Sequence, residues 1–145
     1  MMDLPQAASG RRLSPGLALA LLFAGLGGAA CGGGDDGEPI PPHLSTIESE
    51  IFARNCTFSS CHGATSPNEG MSLVAPTYAT LVGVASSEAP DLVRIAPGDP
   101  DASYLLQKIT STAPRDGVRM PPDQPLPSNK VEAIRAWIAA GAPND

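Results

Sequence analysis

Large side chains and positive charges are scarce in this sequence. Its 145 residues include six aromatic side chains, three cysteines and two histidines, and nine basic residues stand against fifteen acidic ones. The shortage of Lys and Arg leaves no basic stripe of the kind that binds phosphates, so nucleic acid is not expected as a partner. The shortage of aromatics limits the apolar core, and small domains with thin cores often need an additional stabilising group.

Long hydrophobic runs are also missing. The main apolar stretch covers residues 17–23, continues through small residues to Ala30 and follows Arg11 and Arg12. Positive charge followed by a short apolar run is the layout of a secretory signal. The stretch is too short for a stable transmembrane helix, which needs about 20 apolar residues. We therefore interpret residues 1–30 as a signal peptide.

The signal ends in a pattern that resembles the lipoprotein signal of bacteria. Gly28-Ala29-Ala30 precedes Cys31, and in such signals the cysteine after the small residues is acylated and becomes the first residue of the mature chain. The position three before the cysteine is usually Leu, whereas Gly28 stands here. The alternative is ordinary cleavage near Ala29 or Ala30, which would leave Cys31 as a free thiol. Lipidation at Cys31 is the prediction.

A flexible tether follows the signal. Residues 31–42 are rich in Gly, Asp and Pro, a composition that holds a folded domain away from a surface. Without residues 1–30, seven basic and fourteen acidic residues remain, so the net charge is about −7. A partner guided by charge should therefore present a basic face. These features predict an exported cell-envelope protein, anchored by lipid at the periplasmic or outer face of a bacterial membrane.

The other two cysteines lie beside one of the two histidines. Residues 56–62 read Cys-Thr-Phe-Ser-Ser-Cys-His. Cys-x-x-Cys-His is the attachment motif of c-type haem, in which two thiols form thioethers and the histidine binds the iron. Four residues separate the cysteines here instead of two, a change that leaves the chemistry the same. The motif predicts haem thioethers at Cys56 and Cys61, with His62 as the proximal axial ligand.

A methionine in a proline-stiffened loop offers a second iron ligand. Met120 precedes Pro121 and lies 58 residues after His62, which gives the chain enough length to reach the opposite face of a haem. His/Met ligation suits cytochromes c because it raises the reduction potential. We expect Met120 to be the distal ligand. Met71 is expected to pack locally, and His43 is expected to be a solvated linker residue, although it is an alternative distal ligand.

Residues 43–145 are predicted to form several short helices in a loop-rich frame, since no run has the alternation of a sheet. A Ser-x-x-Glu pattern at Ser45 predicts a first helix that runs to about Asn55 and delivers the cysteine motif to a loop. Further helices are predicted over residues 78–82, over 101–109 after an Asp99 cap, and from a Ser128 cap to Gly141. The last of them carries an apolar stripe of Val131, Ile134, Trp137 and Ile138.

Residues 46–142 resemble a small class I type cytochrome c domain of the sort found in exported bacterial lipoproteins. The shared order is a helix into Cys-x(n)-Cys-His-Gly, then Ala96-Pro97-Gly98-Asp99-Pro100 with Ser103-Tyr104-Leu105, then Met120-Pro121-Pro122, and a closing helix that ends at Ala142. The resemblance implies an all-α, cytochrome c-like fold of three to five short helices around one haem c. It also implies His62 and Met120 as axial ligands and crossing of the first and last helices.

The leading hypothesis is an electron carrier without a catalytic residue, because two filled axial positions leave none for a substrate. It would exchange one electron with redox partner proteins. A second hypothesis is an exported binding or structural module with a Cys56–Cys61 disulfide, although so short a loop constrains the unfolded chain least. A third is a haem sensor or peroxidase-like module in which Met120 leaves the iron. A zinc site would lack a fourth ligand unless His43 served.

Overall fold

The computed structural model describes residues 37–145. The first helical run within them covers residues 44–55. The run consists of α1 (Leu44–Thr46), a π-helical segment (Ile47–Phe52) and α2 (Ala53–Asn55). Its buried side chains include Ile47, Ile51 and Phe52. The predicted signal peptide and Cys31 lie outside the described residues.

The cap of this first helix comes from Asp145 and not from Ser45, so the predicted capping box is wrong. The Leu44 amide donates to the Asp145 Oδ1 atom at 2.8 Å, and the Ser45 amide donates to the Asp145 carbonyl at 3.0 Å. Glu48, the expected second member of the box, accepts hydrogen bonds from the amide and hydroxyl of Thr77 at 2.6 and 2.9 Å. A local pattern cannot reveal a cap that lies 101 residues from its helix.

Four short helical elements follow: a 3₁₀ turn (Asn68–Gly70), α3 (Tyr78–Leu81), α4 (Tyr104–Thr110) and α5 (Ser128–Ala139). Helix α4 begins three residues later than predicted, because Ser103 is its N-cap and has an extended backbone. Asp99 instead accepts a hydrogen bond from the Ala102 amide at 3.0 Å and closes a turn before the helix. The side chain of the predicted cap therefore serves a different local structure.

Helix α5 carries the apolar stripe expected of it. Ile134, Trp137 and Ile138 are fully buried, and the helix packs against α4 and the π-helical segment. Pro127 rather than Ser128 occupies the cap position, so the predicted cap is one residue off. Gly141 has φ of +97° just beyond the helix, a value that favours glycine and reverses the chain. The first and last helices are therefore in contact, as the resemblance implies.

The described residues contain no extended strand, in agreement with the predicted helical class. In the segment between α3 and α4, strand-like pairing is limited to isolated bridges. They pair Val82 with Ile95, and Val93 with both Ala85 and Ser103. Within residues 37–145, no helix is long and apolar enough to cross a membrane.

Candidate haem site

The four-residue spacer between the cysteines folds back on itself. The Cys61 amide donates to the Phe58 carbonyl at 2.9 Å, and the His62 amide donates to the Cys56 carbonyl at 3.0 Å. A Cβ atom on Gly63 would lie 3.2 Å from the Phe58 carbonyl oxygen, closer than an ordinary contact, so a larger residue would have to displace the turn slightly. The extra residues are thereby looped out, and Phe58 is 61% exposed. The turn brings the backbones of Cys56 and His62 together despite the long spacer.

The His62 ring is oriented by a backbone carbonyl. Its Nδ1 atom lies 2.9 Å from the carbonyl oxygen of Met71, and the side chain is half-buried. A carbonyl oxygen accepts hydrogen bonds and cannot donate, so Nδ1 carries the proton and the lone pair of neutral imidazole is on Nε2. A hydrogen bond to the second ring nitrogen is the usual support of a metal-binding histidine. His62 thus presents an unprotonated Nε2, the ring atom through which a histidine with this hydrogen bond can bind a metal.

A cavity of about 190 Å³ lies between the motif and the helices. Cys56, His62 and Met120 contribute to its lining, and so does Met71. The apolar part of the wall consists of Phe52, Leu73, Leu105, Ile109, Leu126 and Ile134. Cys61 is half-buried and does not line the cavity. The structure therefore brings three of the four predicted haem-binding residues to one cavity, together with a second methionine.

Met120 is held at the cavity by its backbone. The Met120 amide donates to the Lys108 carbonyl at 2.7 Å, and the side chain is half-buried against the core. The loop that carries it contains neither helix nor strand, since α4 ends at Thr110 and α5 begins at Ser128.

His43 is placed elsewhere. Its Nδ1 atom lies 2.7 Å from the Asp145 carboxylate, beside the first helix, and it does not line the cavity. The expected solvated residue is therefore exposed but hydrogen-bonded. This contact and the bond from Leu44 lower the pKa of Asp145. Among residues 37–145, no group of three or more His, Cys, Asp and Glu side chains could hold a metal ion.

Both cysteines that the structure describes are free thiols. Burial, with a smaller contribution from nearby Cys61, raises the pKa of Cys56 from 9.0 to about 11, and Lys130 opposes the shift. Cys56 is therefore a protonated, weakly nucleophilic thiol at neutral pH in the folded chain. Its neutral form suits an apolar wall.

Labelling of Cys56 by iodoacetamide should be slow in the folded, haem-free chain. A pKa of about 11 instead of 9.0 lowers the thiolate fraction at about pH 8 by roughly 100-fold. We expect the rate at Cys56 to be lower by about this factor than in the same chain in denaturant, and to keep rising through about pH 11, where half of the thiol is ionised. Peptide mapping after timed labelling measures it. Equal rates in the folded and denatured chain would contradict the buried position of the thiol.

One part of the cavity wall is polar and was not predicted from the sequence. Glu88, Arg94, Tyr104 and Lys108 line it, and Lys108 pairs with Glu88 at 2.9 Å. Lys108 stands four residues after Tyr104, on the same face of α4 as buried Leu105 and Ile109. A lysine among the buried positions of a helix is unusual. This position of Lys108 is the one feature of the sequence that could have indicated the polar wall.

Residues 59–124 match the family described as Planctomycete cytochrome C. The matched segment includes Cys61, His62 and Met120, and Cys56 lies three residues before it. No curated protein and no solved structure matches the chain. The match, together with the helical frame, supports a cytochrome c-like domain. A cytochrome c domain implies covalently bound haem, and it favours an electron carrier over an enzyme.

Proposed function

We propose that this protein is a membrane-tethered c-type cytochrome that transfers single electrons through one haem c. Cys56 and Cys61 would hold the haem as thioethers, and His62 and Met120 would be the axial ligands. The observation that carries the proposal is the meeting of Cys56, His62 and Met120, which span 65 residues of sequence, at one cavity with a largely apolar wall.

The chemistry of these donors fits the group. His62 offers Nε2 because its Nδ1–H is bound to the Met71 carbonyl, and Met120 offers a neutral thioether, a ligand that raises the reduction potential of haem iron. When bound, the haem supplies an iron centre that gains or loses one electron. The apolar side chains around it would exclude water and favour the iron state of lower charge.

We also propose how the domain is anchored and which kind of partner it meets. Acylation at Cys31 would anchor the chain to a membrane, and the segment that follows Cys31 would hold the folded domain away from that surface. Since the chain without its signal carries a net charge of about −7, redox partners with a basic docking face would be favoured.

Two methionine variants test the axial assignment, because Met120 and Met71 line the same cavity. Leucine matches methionine in volume and cannot bind iron, so Met120→Leu should remove the His/Met low-spin spectrum almost completely and lower the reduction potential. Met71→Leu should leave both unchanged. Visible spectra and redox titration of protein from a strain that matures cytochromes c measure this. Loss of the spectrum in Met71→Leu, with Met120→Leu unchanged, would overturn the assignment of Met120.

A further inference from the structure

Lys108 is a buried cation at the edge of the cavity. It is 8% exposed, and its Nζ atom lies 2.9 Å from the nearer Glu88 carboxylate oxygen. The same Nζ donates to the carbonyl oxygen of Asp116 at 2.9 Å and lies 5.9 Å from the centre of the Tyr104 ring. A buried lysine is rare unless it is paired and hydrogen-bonded, and this one has both kinds of partner.

The same residue also holds the backbone of Met120. The Lys108 carbonyl accepts the hydrogen bond from the Met120 amide at 2.7 Å, while its ammonium binds the Asp116 carbonyl four residues earlier in the loop. Between these points, Gly117 has φ of +62°, and a Cβ atom there would lie 3.2 Å from the Lys108 Nζ. The loop therefore passes directly over the Lys108–Glu88 pair and is fastened to one residue at two points.

We propose that Lys108 is a positioning residue that keeps the Met120 thioether at the iron. The inference rests on the proposed function, because it requires Met120 to be the distal ligand. The loop between α4 and α5 has no helix or strand of its own, so its order depends on bonds to the rest of the fold. The ammonium supplies a charge-assisted hydrogen bond to the loop from a buried site, where such a bond is strongest.

A second ion pair ties the same loop to the neighbouring segment and provides a matched control. Arg115 lies 2.6 Å from Asp91, but these side chains are 52% and 62% exposed. Exposed pairs contribute little, because water screens them and both side chains lose freedom. The exposed pair should therefore matter much less than the buried one for the position of Met120.

The test measures how tightly added imidazole binds the ferric, haem-loaded protein, since imidazole must displace the distal ligand. Lys108→Met keeps the aliphatic stem and removes the ammonium, so imidazole affinity should rise about tenfold or more. Lys108→Arg keeps a cationic donor, so its imidazole affinity should be close to that of the unmodified protein. Arg115→Gln should bind imidazole as the unmodified protein does. Covalent haem content and far-ultraviolet circular dichroism should be the same in all three.

Met120→Leu, measured in parallel, distinguishes an error in the role of Lys108 from an error in the assignment of Met120. If Met120→Leu raises imidazole affinity and Lys108→Met does not, the positioning role of Lys108 is wrong and the distal ligand stands. If Met120→Leu has no effect, the assignment of Met120 is wrong and the role of Lys108 falls with it. Should Lys108→Met fail to fold, Lys108→Met with Glu88→Leu avoids an unpaired buried carboxylate and should show the same rise. An unchanged affinity in this double variant would overturn the proposal.

Discussion

His62→Ala is expected to abolish the low-spin haem spectrum. The Met71 carbonyl orients this imidazole with Nε2 free, and no other histidine lines the cavity. Without it the iron loses its proximal ligand, so the remaining haem should be high-spin and much of the protein should be degraded before purification. Visible absorption of protein made by a strain that matures cytochromes c, normalised to the amount of polypeptide, measures the effect.

His43→Ala is the matched control, since the chain has only two histidines. His43 is exposed and bonded to the Asp145 carboxylate at 2.7 Å. Its replacement should leave the haem spectrum unchanged and affect only the stability of the first helix. The reverse result, in which His43→Ala loses the spectrum and His62→Ala retains it, would contradict the axial assignment.

Trp137→Ala should be the most destabilising single change in the core. Trp137 is fully buried in α5, and its indole N–H donates to the Pro143 carbonyl at 2.9 Å. Removing a buried tryptophan costs about 3 to 5 kcal/mol, a large share of the roughly 5 to 15 kcal/mol that stabilises a small domain. Chemical denaturation of the haem-loaded variant, followed by circular dichroism, measures the free energy of unfolding.

Val118→Ala provides the comparison for this prediction. Val118 is 58% exposed in the loop before Met120, so its truncation should change the free energy of unfolding by less than about 0.5 kcal/mol. If Trp137→Ala were as stable as Val118→Ala, α5 would not form the centre of the core.

The parts of the fold that local chemistry determines could be predicted from the sequence. The apolar stripe of α5 and the glycine after it place that helix correctly, because a 3.6-residue period and a positive φ are properties of adjacent residues. The start of the first helix could not be predicted in this way. Its cap comes from Asp145, and the Ser45 pattern satisfies the same local rule without being used.

In the candidate site, too, the local motif could be read from the sequence, whereas the tertiary contacts could not. Cys56, Cys61 and His62 share one short motif, so the sequence alone predicts them as one group. The His62–Met71 bond and the loop contacts of Lys108 join residues whose pairing depends on tertiary structure. Met71 is a further example. The sequence predicts only that it packs locally, and its place on the cavity wall is visible only in the folded structure.

The covalent mass of the mature protein tests the central claim most directly. Mass spectrometry under denaturing conditions, on protein from cells that mature cytochromes c, should show the polypeptide plus one haem. The Cys56→Ser/Cys61→Ser variant should have the mass of the polypeptide without haem. If the unaltered protein also lacks the haem, while other c-type cytochromes of the same cells carry theirs, the chain is not a c-type cytochrome.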